Sequence, residues 1–280
     1  MKLTFWGTRG SLASPGLDTV RYGGNTSCVS VQGSEGTVIV LDAGTGIRPL
    51  GQSLPTDSKQ IHILLTHLHM DHIQGLPFFA PLRRRGVEIH IWGPASTTLS
   101  LSARLQKYLS PPLFPVSVRE LSADLHFHEL PDHLIEIGEF KVDAQLIIHP
   151  NPTIGYRIQC AGTAVTYLPD HEPALGMRKF PRETEWLSGY ALAEGSDLLI
   201  HDAQYTDQEY RERVGFGHSS LKQAFQFAQL TQVKHFVPFH YDPTHDDEQL
   251  DRMFEEARAE VQPSYVVTPS REGLSLDAVC

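Results

Sequence analysis

His67-Leu68-His69-Met70-Asp71-His72 sets three imidazoles and a carboxylate within six consecutive residues. It directly follows Ile61-His62-Ile63-Leu64-Leu65-Thr66. That run is short, apolar and β-branched, and it reads as a buried strand. Residues Gln74 to Arg85 then mix helix formers with Gly75, Pro77 and Pro81, the pattern of a loop entering a short helix. The polar crowd therefore stands at the end of a strand.

Such crowding is costly unless something binds there. An imidazole offers a lone pair only when neutral, and neighbouring imidazoles repel once protonated. A divalent metal relieves both problems, and imidazole with carboxylate suits zinc, manganese or iron. In an extended loop, positions i and i+2 point the same way. His67 and His69 can thus share one ion, and Asp71 and His72, one turn on, a second. The competing reading is a polar loop whose histidines cluster by accident. Four ligand types in six residues at a strand end weigh against it.

H-x-H-x-D-H after an apolar strand resembles the signature of the metallo-β-lactamase fold superfamily. The resemblance implies three further ligands at the ends of later strands. His149 follows Ala144-Gln145-Leu146-Ile147-Ile148, Asp170 follows Ala164-Val165-Thr166-Tyr167-Leu168, and His240 follows His235-Phe236-Val237-Pro238-Phe239. It further implies two divalent ions, zinc first and manganese or iron otherwise. His67, His69 and His149 would hold one, Asp71, His72 and His240 the other, and Asp170 would bridge. A water between two such ions loses a proton near neutral pH and serves as the nucleophile. The implied fold is α/β (α+β), an αββα sandwich, with residues 1–280 as one hydrolase domain.

The opening points to a branch. Gly7-Thr8-Arg9-Gly10-Ser11, the run Arg21 to Cys28 (RYGGNTSC) and Leu41-Asp42-Ala43-Gly44-Thr45-Gly46 are similar to the start of ribonuclease Z-like enzymes and phosphodiesterases. By itself the glycine-rich loop reads as a surface turn. Asp42 is a turn former before Gly44, or, on the resemblance, a carboxylate that orients a ligand. Gly217-His218-Ser219-Ser220 precedes a helix. In relatives of this branch such a histidine assists the leaving group, a role imidazole fills well near pH 7. The alternative is a capping turn with an incidental histidine. His201-Asp202 ends another strand and competes as a site element with an ordinary structural role. His171 stands where relatives often carry a hydroxyl residue, and Asn151-Pro152-Thr153 stands where a glycine-rich turn is commoner.

Composition limits the partners. At 40% hydrophobic and 20% charged residues, the 280-residue chain can bury a substantial core. No stretch approaches 18 apolar residues, so no membrane partner is expected, and Met1 to Trp6 run straight into a strand pattern without a signal-peptide core. Cys28, Cys160 and Cys280 are odd in number and widely spaced, which suits a reducing, cytoplasmic setting. The net charge of −10 weighs against general nucleic-acid binding. Ribonuclease Z proper carries a Gly- and Lys-rich arm. Here Arg83-Arg84-Arg85 is the only dense basic run between His72 and His149. The expected substrate is a small anionic phosphodiester such as a cyclic nucleotide. A tRNA 3′ endonuclease, a lactonase or thioesterase, and a non-catalytic metal-binding or sensing module are the alternatives. The oligomeric state stays open, a homodimer included.

Along the chain, Cys28 to Val31 and Thr37 to Leu41 read as strands of a meander, and Val87 to Trp92 as another. Residues 96–109 read as an amphipathic helix capped by Ser96, and Ser110 to Pro115 as a rigid apolar loop that walls a pocket or merely connects. Leu134–Phe140 with Lys141–Ile148, and Tyr156–Cys160 with Thr163–Leu168, read as strand pairs. Ser219–Thr231 and a segment capped by Asp246 or Asp247 read as helices, and Tyr265–Thr268 as the final strand. His62, His90, His126, His128 and His133 are expected to be packed or solvated.

Overall fold

A computed structural model of the chain describes residues 1–130, 133–175, 180–181 and 183–278. Cys280 lies outside them. The first half builds β1 (Lys2–Gly7), β2 (Cys28–Gln32), β3 (Val38–Leu41), helix α1 (Ile47–Ser53), β4 (Gln60–Leu64), helix α2 (Met70–Ile73), β5 (Glu88–Pro94), helix α3 (Leu101–Tyr108) and β6 (Asp124–Leu130). The second half gives β7 (His133–Ile137), β8 (Phe140–Ile147), β9 (Thr153–Cys160), β10 (Thr163–Leu168), helix α4 (Tyr190–Ala193), β11 (Leu198–Asp202), helix α5 (Asp207–Glu212), helix α6 (Leu221–Leu230), β12 (His235–Phe239) and helix α7 (Asp247–Val261). Two short strands follow, β13 (Val266–Val267) and β14 (Ser275–Asp277).

The strands form two seven-stranded sheets, ordered β14-β1-β2-β3-β4-β5-β6 and β13-β12-β11-β10-β9-β8-β7. Their inner faces share one core, in which Phe5, Val31 and Leu64 meet Phe140, Ile158, Tyr167 and Phe239. Ile47, Ile63, Phe79 and Leu105 fill a second core outside the first sheet, and Leu199, Phe225, Phe236 and Leu250 a third outside the second. The order is thus helix, sheet, sheet, helix, the α/β sandwich expected from the alternation of strands and helices.

Each sheet changes from antiparallel to parallel along its width. β3, β4, β5 and β6 run parallel, as do β10, β11, β12 and β13. Parallel strands buried on both faces need near-continuous apolar runs, which Val38–Leu41, Ile61–Leu64 and Leu198–Ile200 supply. Their carboxyl ends open onto loops, and ligands of open α/β sheets gather there.

Several boundaries differ from the sequence reading. The strand expected over Leu134–Phe140 ends at Ile137, and Phe140 opens the next one. The helix expected over 96–109 begins at Leu101, and its cap is Ser100, whose Oγ accepts the Ala103 N–H at 3.2 Å. Ser96 Oγ pairs with Thr98 instead. Serine and threonine compete with the helix for backbone groups, so the run Ser96–Ser100 stays outside it. The strand expected over 265–268 shrinks to Val266–Val267, and the last strand is Ser275–Asp277, paired with β1. The loop 110–115 packs Phe114 edge-on against Phe78, 5.8 Å between ring centres, over the outer core of the first sheet.

Candidate metal centre and active site

Seven side chains from the connections after four strands converge where the two sheets open. His67 and His69 leave the segment after β4, and Asp71 and His72 lie on α2, the single turn that follows. His149, Asp170 and His240 follow β8, β10 and β12. His67, His69, His149 and Asp170 form one group whose ligand atoms all lie within 4.8 Å of one another, and Asp71, His72, Asp170 and His240 form a second. Asp170 belongs to both, at the bridging place.

The spacing has the form of ligand shells. His72 Nε2 lies 3.0 Å from Asp170 Oδ1, 3.2 Å from Asp71 Oδ2 and 3.2 Å from His240 Nε2. His240 Nε2 lies 3.1 Å from Asp71 Oδ2 and 3.2 Å from Asp170 Oδ1. Ligands at about 2.0–2.1 Å from a four-coordinate ion stand about 3.3 Å apart. In the other group His149 Nε2 is 3.3 Å from His69 Nδ1, while Asp170 Oδ2 is 3.7 Å from His67 Nε2 and 3.6 Å from His149 Nε2. His67 Nε2 is buried without a hydrogen-bond partner, as is Asp170 Oδ1. Such orphaned groups are costly in a protein interior unless something else satisfies them. The donor set fits two divalent ions.

The far side of each ring is held. His72 Nδ1 donates to Asp42 Oδ2 at 2.8 Å, His240 Nδ1 to Gln204 Oε1 at 2.9 Å, and His149 Nδ1 to the Gly217 carbonyl at 2.8 Å. His67 Nδ1 meets Thr66 Oγ1 at 3.0 Å. Each contact fixes the tautomer that leaves Nε2 bare toward the cluster. His69 is turned the other way, with Nδ1 inward and Nε2 3.3 Å from the Asn151 amide. Asp42 is fully buried and also accepts from the Thr66 N–H at 2.8 Å and the Tyr167 hydroxyl at 2.9 Å. It sits under the centre and holds His72.

The opening loop packs against the same cluster. The Ser11 N–H donates to Asp71 Oδ2 at 2.7 Å. Gly10 lies so close to the His240 ring that a β-carbon there would overlap it. Arg9 is wholly buried and binds the carbonyls of Gly23 and Asp242 at 2.8 and 3.2 Å, tying this loop to the one after His240. Of seven non-glycine residues with positive φ among those described, Ser11, Asp42, Asn151 and His240 all touch the site. Each such backbone costs on the order of 1–3 kcal/mol, so the surrounding packing must hold it.

A third grouping, Asp202, His218 and His240, is a hydrogen-bonded network. His218 Nδ1 donates to Asp202 Oδ2 at 2.6 Å, and Asp202 Oδ1 accepts from the N–H groups of Ser219 and Gln204 at 2.9 and 3.1 Å. His240 Nδ1 stands 3.8 Å from Asp202 and is already taken by Gln204. The His218 ring stacks on His240 at 5.1 Å and meets His149 edge-on at 5.0 Å. Burial pushes the His218 imidazole down, but the adjoining Asp202 carboxylate outweighs it and lifts the group to about 9.

His201 and His171 turn away from the centre. They bond to each other at 2.9 Å beside Phe227, and burial lowers both, His201 to about 4. Of the pair His201-Asp202, then, only Asp202 reaches the site. Gln204 and Glu172 escaped the sequence reading. Gln204 follows Asp202 by two residues in the same loop, the one cue available for it. Glu172 accepts the N–H groups of Gly215 and Gly217 and the Tyr210 hydroxyl, at 3.0, 2.9 and 2.9 Å, from a loop far along the chain.

A family model described as the beta-lactamase superfamily domain matches residues 37–241. Ribonuclease Z of Crocosphaera subtropica is 30% identical, with 92% of this chain and 93% of that protein aligned. Among solved structures, human tRNase Z, short form, superposes with a TM-score of 0.71 at 22% identity over 100% of both chains. A diphosphatase from the PhnP family gives 0.69 at 20% identity over 99% of this chain and 97% of that one. Matched over most of its length by the family that its ligand pattern resembles, the chain belongs to the metallo-β-lactamase superfamily, in the ribonuclease Z-like branch, and is a metal-dependent hydrolase.

Proposed function

We propose that the chain hydrolyses small phosphodiesters, cyclic nucleotides and related compounds among them. Two divalent ions, zinc in the first instance, would be held by His67, His69 and His149 and by Asp71, His72 and His240, with Asp170 shared. Such ions polarise phosphoryl oxygens and acidify water between them. Asp42, Gln204 and the Gly217 carbonyl hold the imidazoles for this task. Asp71 would serve as a ligand, and the Ser11 N–H fixes its carboxylate.

The observation that carries the reading is His218. Its Nδ1 is committed to Asp202, so Nε2 is the atom left for substrate, and the adjoining carboxylate favours the protonated ring. A protonated imidazole beside two metal sites suits delivery of a proton to a departing alkoxide. That is the need of a diester with a poor leaving group. A sensing module has no use for it.

Small substrates are favoured over RNA by charge and by placement. The net charge is −10, and Arg83–Arg85 precede β5 at the end of the sheet opposite the site. Gln60 pairs with Glu88 at that end, and six residues at about 3.3 Å each carry the chain through β4 and on to Thr66, roughly 20 Å away. The names of the relatives favour a second reading, cleavage of RNA. The test is to load the protein with zinc or manganese and measure turnover of bis-p-nitrophenyl phosphate, cyclic nucleotides, a lactone and precursor tRNA. Turnover of the diesters is expected. Efficient 3′ trimming of precursor tRNA without action on small diesters overturns the proposal.

A further inference from the structure

We infer that Phe216 is a stacking platform for a planar base on the leaving-group side of the diester, which makes Phe216 a specificity-determining residue of this site. The inference rests on the proposed phosphodiesterase reading and deepens it.

The turn from Arg213 to Gly217 is held from three directions. Gly215 and Gly217 both have positive φ, 88° and 85°, and both donate their N–H to the Glu172 carboxylate, which is 1% exposed and almost wholly surrounded. The Phe216 N–H closes the turn on the Arg213 carbonyl at 3.0 Å. The Gly217 carbonyl receives His149 Nδ1–H, and Gly217 itself packs on the ring of His149 and on Pro150 so closely that a β-carbon there would overlap both. His218 comes next in the chain. The turn is therefore fixed to one metal-ligand histidine and leads directly into the proposed acid.

At its tip this rigid turn presents a large aromatic side chain to solvent, with Phe216 59% exposed. A scattered exposed apolar residue needs no explanation, but this one has company. Leu12 follows Ser11, whose N–H binds Asp71, and is 61% exposed. Met70 lies between His69 and Asp71 and is 50% exposed. Three exposed apolar side chains thus each stand within two residues of a group at the centre. Phe216 is the aromatic member. Its α-carbon is at most about 7.6 Å from that of His218, two trans peptide steps away. Ligand sites combine a few fixed polar groups with apolar side chains, and Phe216 is the apolar partner of this centre.

The side of the substrate follows from the neighbour. His218 faces the departing oxygen, so the group beside Phe216 is the one that oxygen carries. A primary alkoxide without a ring gains nothing from a phenyl face. A nucleoside does, because each base stacked on an aromatic residue contributes about 1–3 kcal/mol by alanine substitution, and any base has a π-face.

The experiment compares two diesters with matched departing alkoxides. One is dithymidine monophosphate, and the other has both thymidines replaced by abasic tetrahydrofuran analogues, so that whichever P–O bond breaks the departing alkoxides match and only the base is lost. The zinc- or manganese-loaded wild-type protein should prefer the first in kcat/KM. Phe216→Ala should lower kcat/KM for the base-bearing diester by roughly 5- to 150-fold, the range such stacking corresponds to, mainly through KM. It should leave the abasic diester within about twofold of wild type and the metal content unchanged. Phe216→Trp should restore the preference. Equal losses on the two diesters, or no loss on either, overturn the platform while leaving the phosphodiesterase reading intact. Absence of turnover of both overturns the platform, and if metal-replete wild-type protein also leaves bis-p-nitrophenyl phosphate and cyclic nucleotides intact, the phosphodiesterase reading falls with it.

Discussion

Two groups of histidines in this chain use the same side chain in opposite ways. At the centre, His67, His69, His149 and His240 sit in loops and His72 on the single turn α2, and they tilt against one another and turn ring nitrogens toward shared carboxylates. On β4, β5 and β6, His62, His90, His126 and His128 lie flat on each other across parallel strands, with Trp92 among them. Their ring centres are 4.7 Å apart for His62–His90 and for His90–His126, and 3.9 Å for Trp92–His128, at angles of 14° to 18°. Strand register makes this ladder, since His62 pairs with His90 and His90 with His126. The difference lies in the partners. Aspartates are interleaved with the first group, and the second has mainly itself. One is built to bind cations, and in the other burial lowers His62, His90 and His128 toward the neutral form.

The sharpest break between the two is metal content. His240→Ala removes a ligand and should lose the ion shared with Asp71 and His72, and with it turnover of every diester alike. The loss should exceed the roughly 10–100-fold typical of an outer partner. His90→Ala in the ladder should keep both ions. Elemental analysis of the two variants checks this, and full metal content in His240→Ala would remove His240 from the ligand set.

Next in size is proton delivery. His218→Ala should keep both metals and lower kcat by roughly 10²–10⁴ for a poor leaving group, the usual worth of a general acid. The loss should shrink for p-nitrophenolate, which needs little protonation. Asp202→Asn removes the carboxylate that lifts His218 to about 9. The active form is the protonated one, so activity falls as pH rises through that value. In Asp202→Asn the fall should begin at lower pH. Equal losses of His218→Ala on good and poor leaving groups, or an unmoved alkaline limb in Asp202→Asn, would leave His218 as a positioning or capping residue.

Smaller still is the hold on His72. Asp42→Asn keeps the shape but weakens the acceptor for His72 Nδ1, and metal affinity at that ion should fall by roughly 10–100-fold. Competition with a chelator measures it. Unchanged affinity would reduce Asp42 to the turn former its sequence context equally suggests.

How much of this was legible in the sequence follows the same contrast. The first-sheet ligands are crowded into six residues, so they announce themselves locally. His149, Asp170 and His240 were found from the resemblance, by seeking one polar residue after each later apolar run. β10 and β12 have a parallel neighbour, are buried and end abruptly, while β8 is antiparallel to both neighbours and alternately buried, a weaker cue. Asp202 was visible but undecided, since a strand-end carboxylate looks the same whether it holds an imidazole or a backbone turn. Gln204 and Glu172 were out of reach, because their partners come from distant parts of the chain and neither residue type marks a site. The ladder was invisible for a related reason. His90, His126 and His128 stand at alternate positions in their strands, and only register shows that they stack. The helix expected from Ser96 began late because serine and threonine runs favour local backbone bonds over a helical turn.

The ladder itself supports the smallest prediction, in stability rather than activity. Burial, reinforced by neighbouring imidazoles, lowers His62 from its ordinary value of 6.5 to about 4. Its side chain also accepts the Trp92 indole N–H at 3.3 Å, which needs a bare Nδ1. The folded value lies below the unfolded one, so between them the unfolded chain binds more protons. Stability is therefore complete above about pH 6.5 and declines as pH falls toward 4, by about 2 kcal/mol at pH 5 from this residue alone. His62→Gln keeps an acceptor for Trp92 and cannot titrate. It should flatten the acid slope of unfolding free energy by that amount, while differing little from wild type in slope above pH 7. Acid also strips ions from the centre, but in both proteins alike, so the difference between the two denaturation series isolates the ladder. Parallel slopes from pH 7.5 to 5 would mean that the stack absorbs a proton without cost, and that its flat geometry excludes charge less strictly than burial implies.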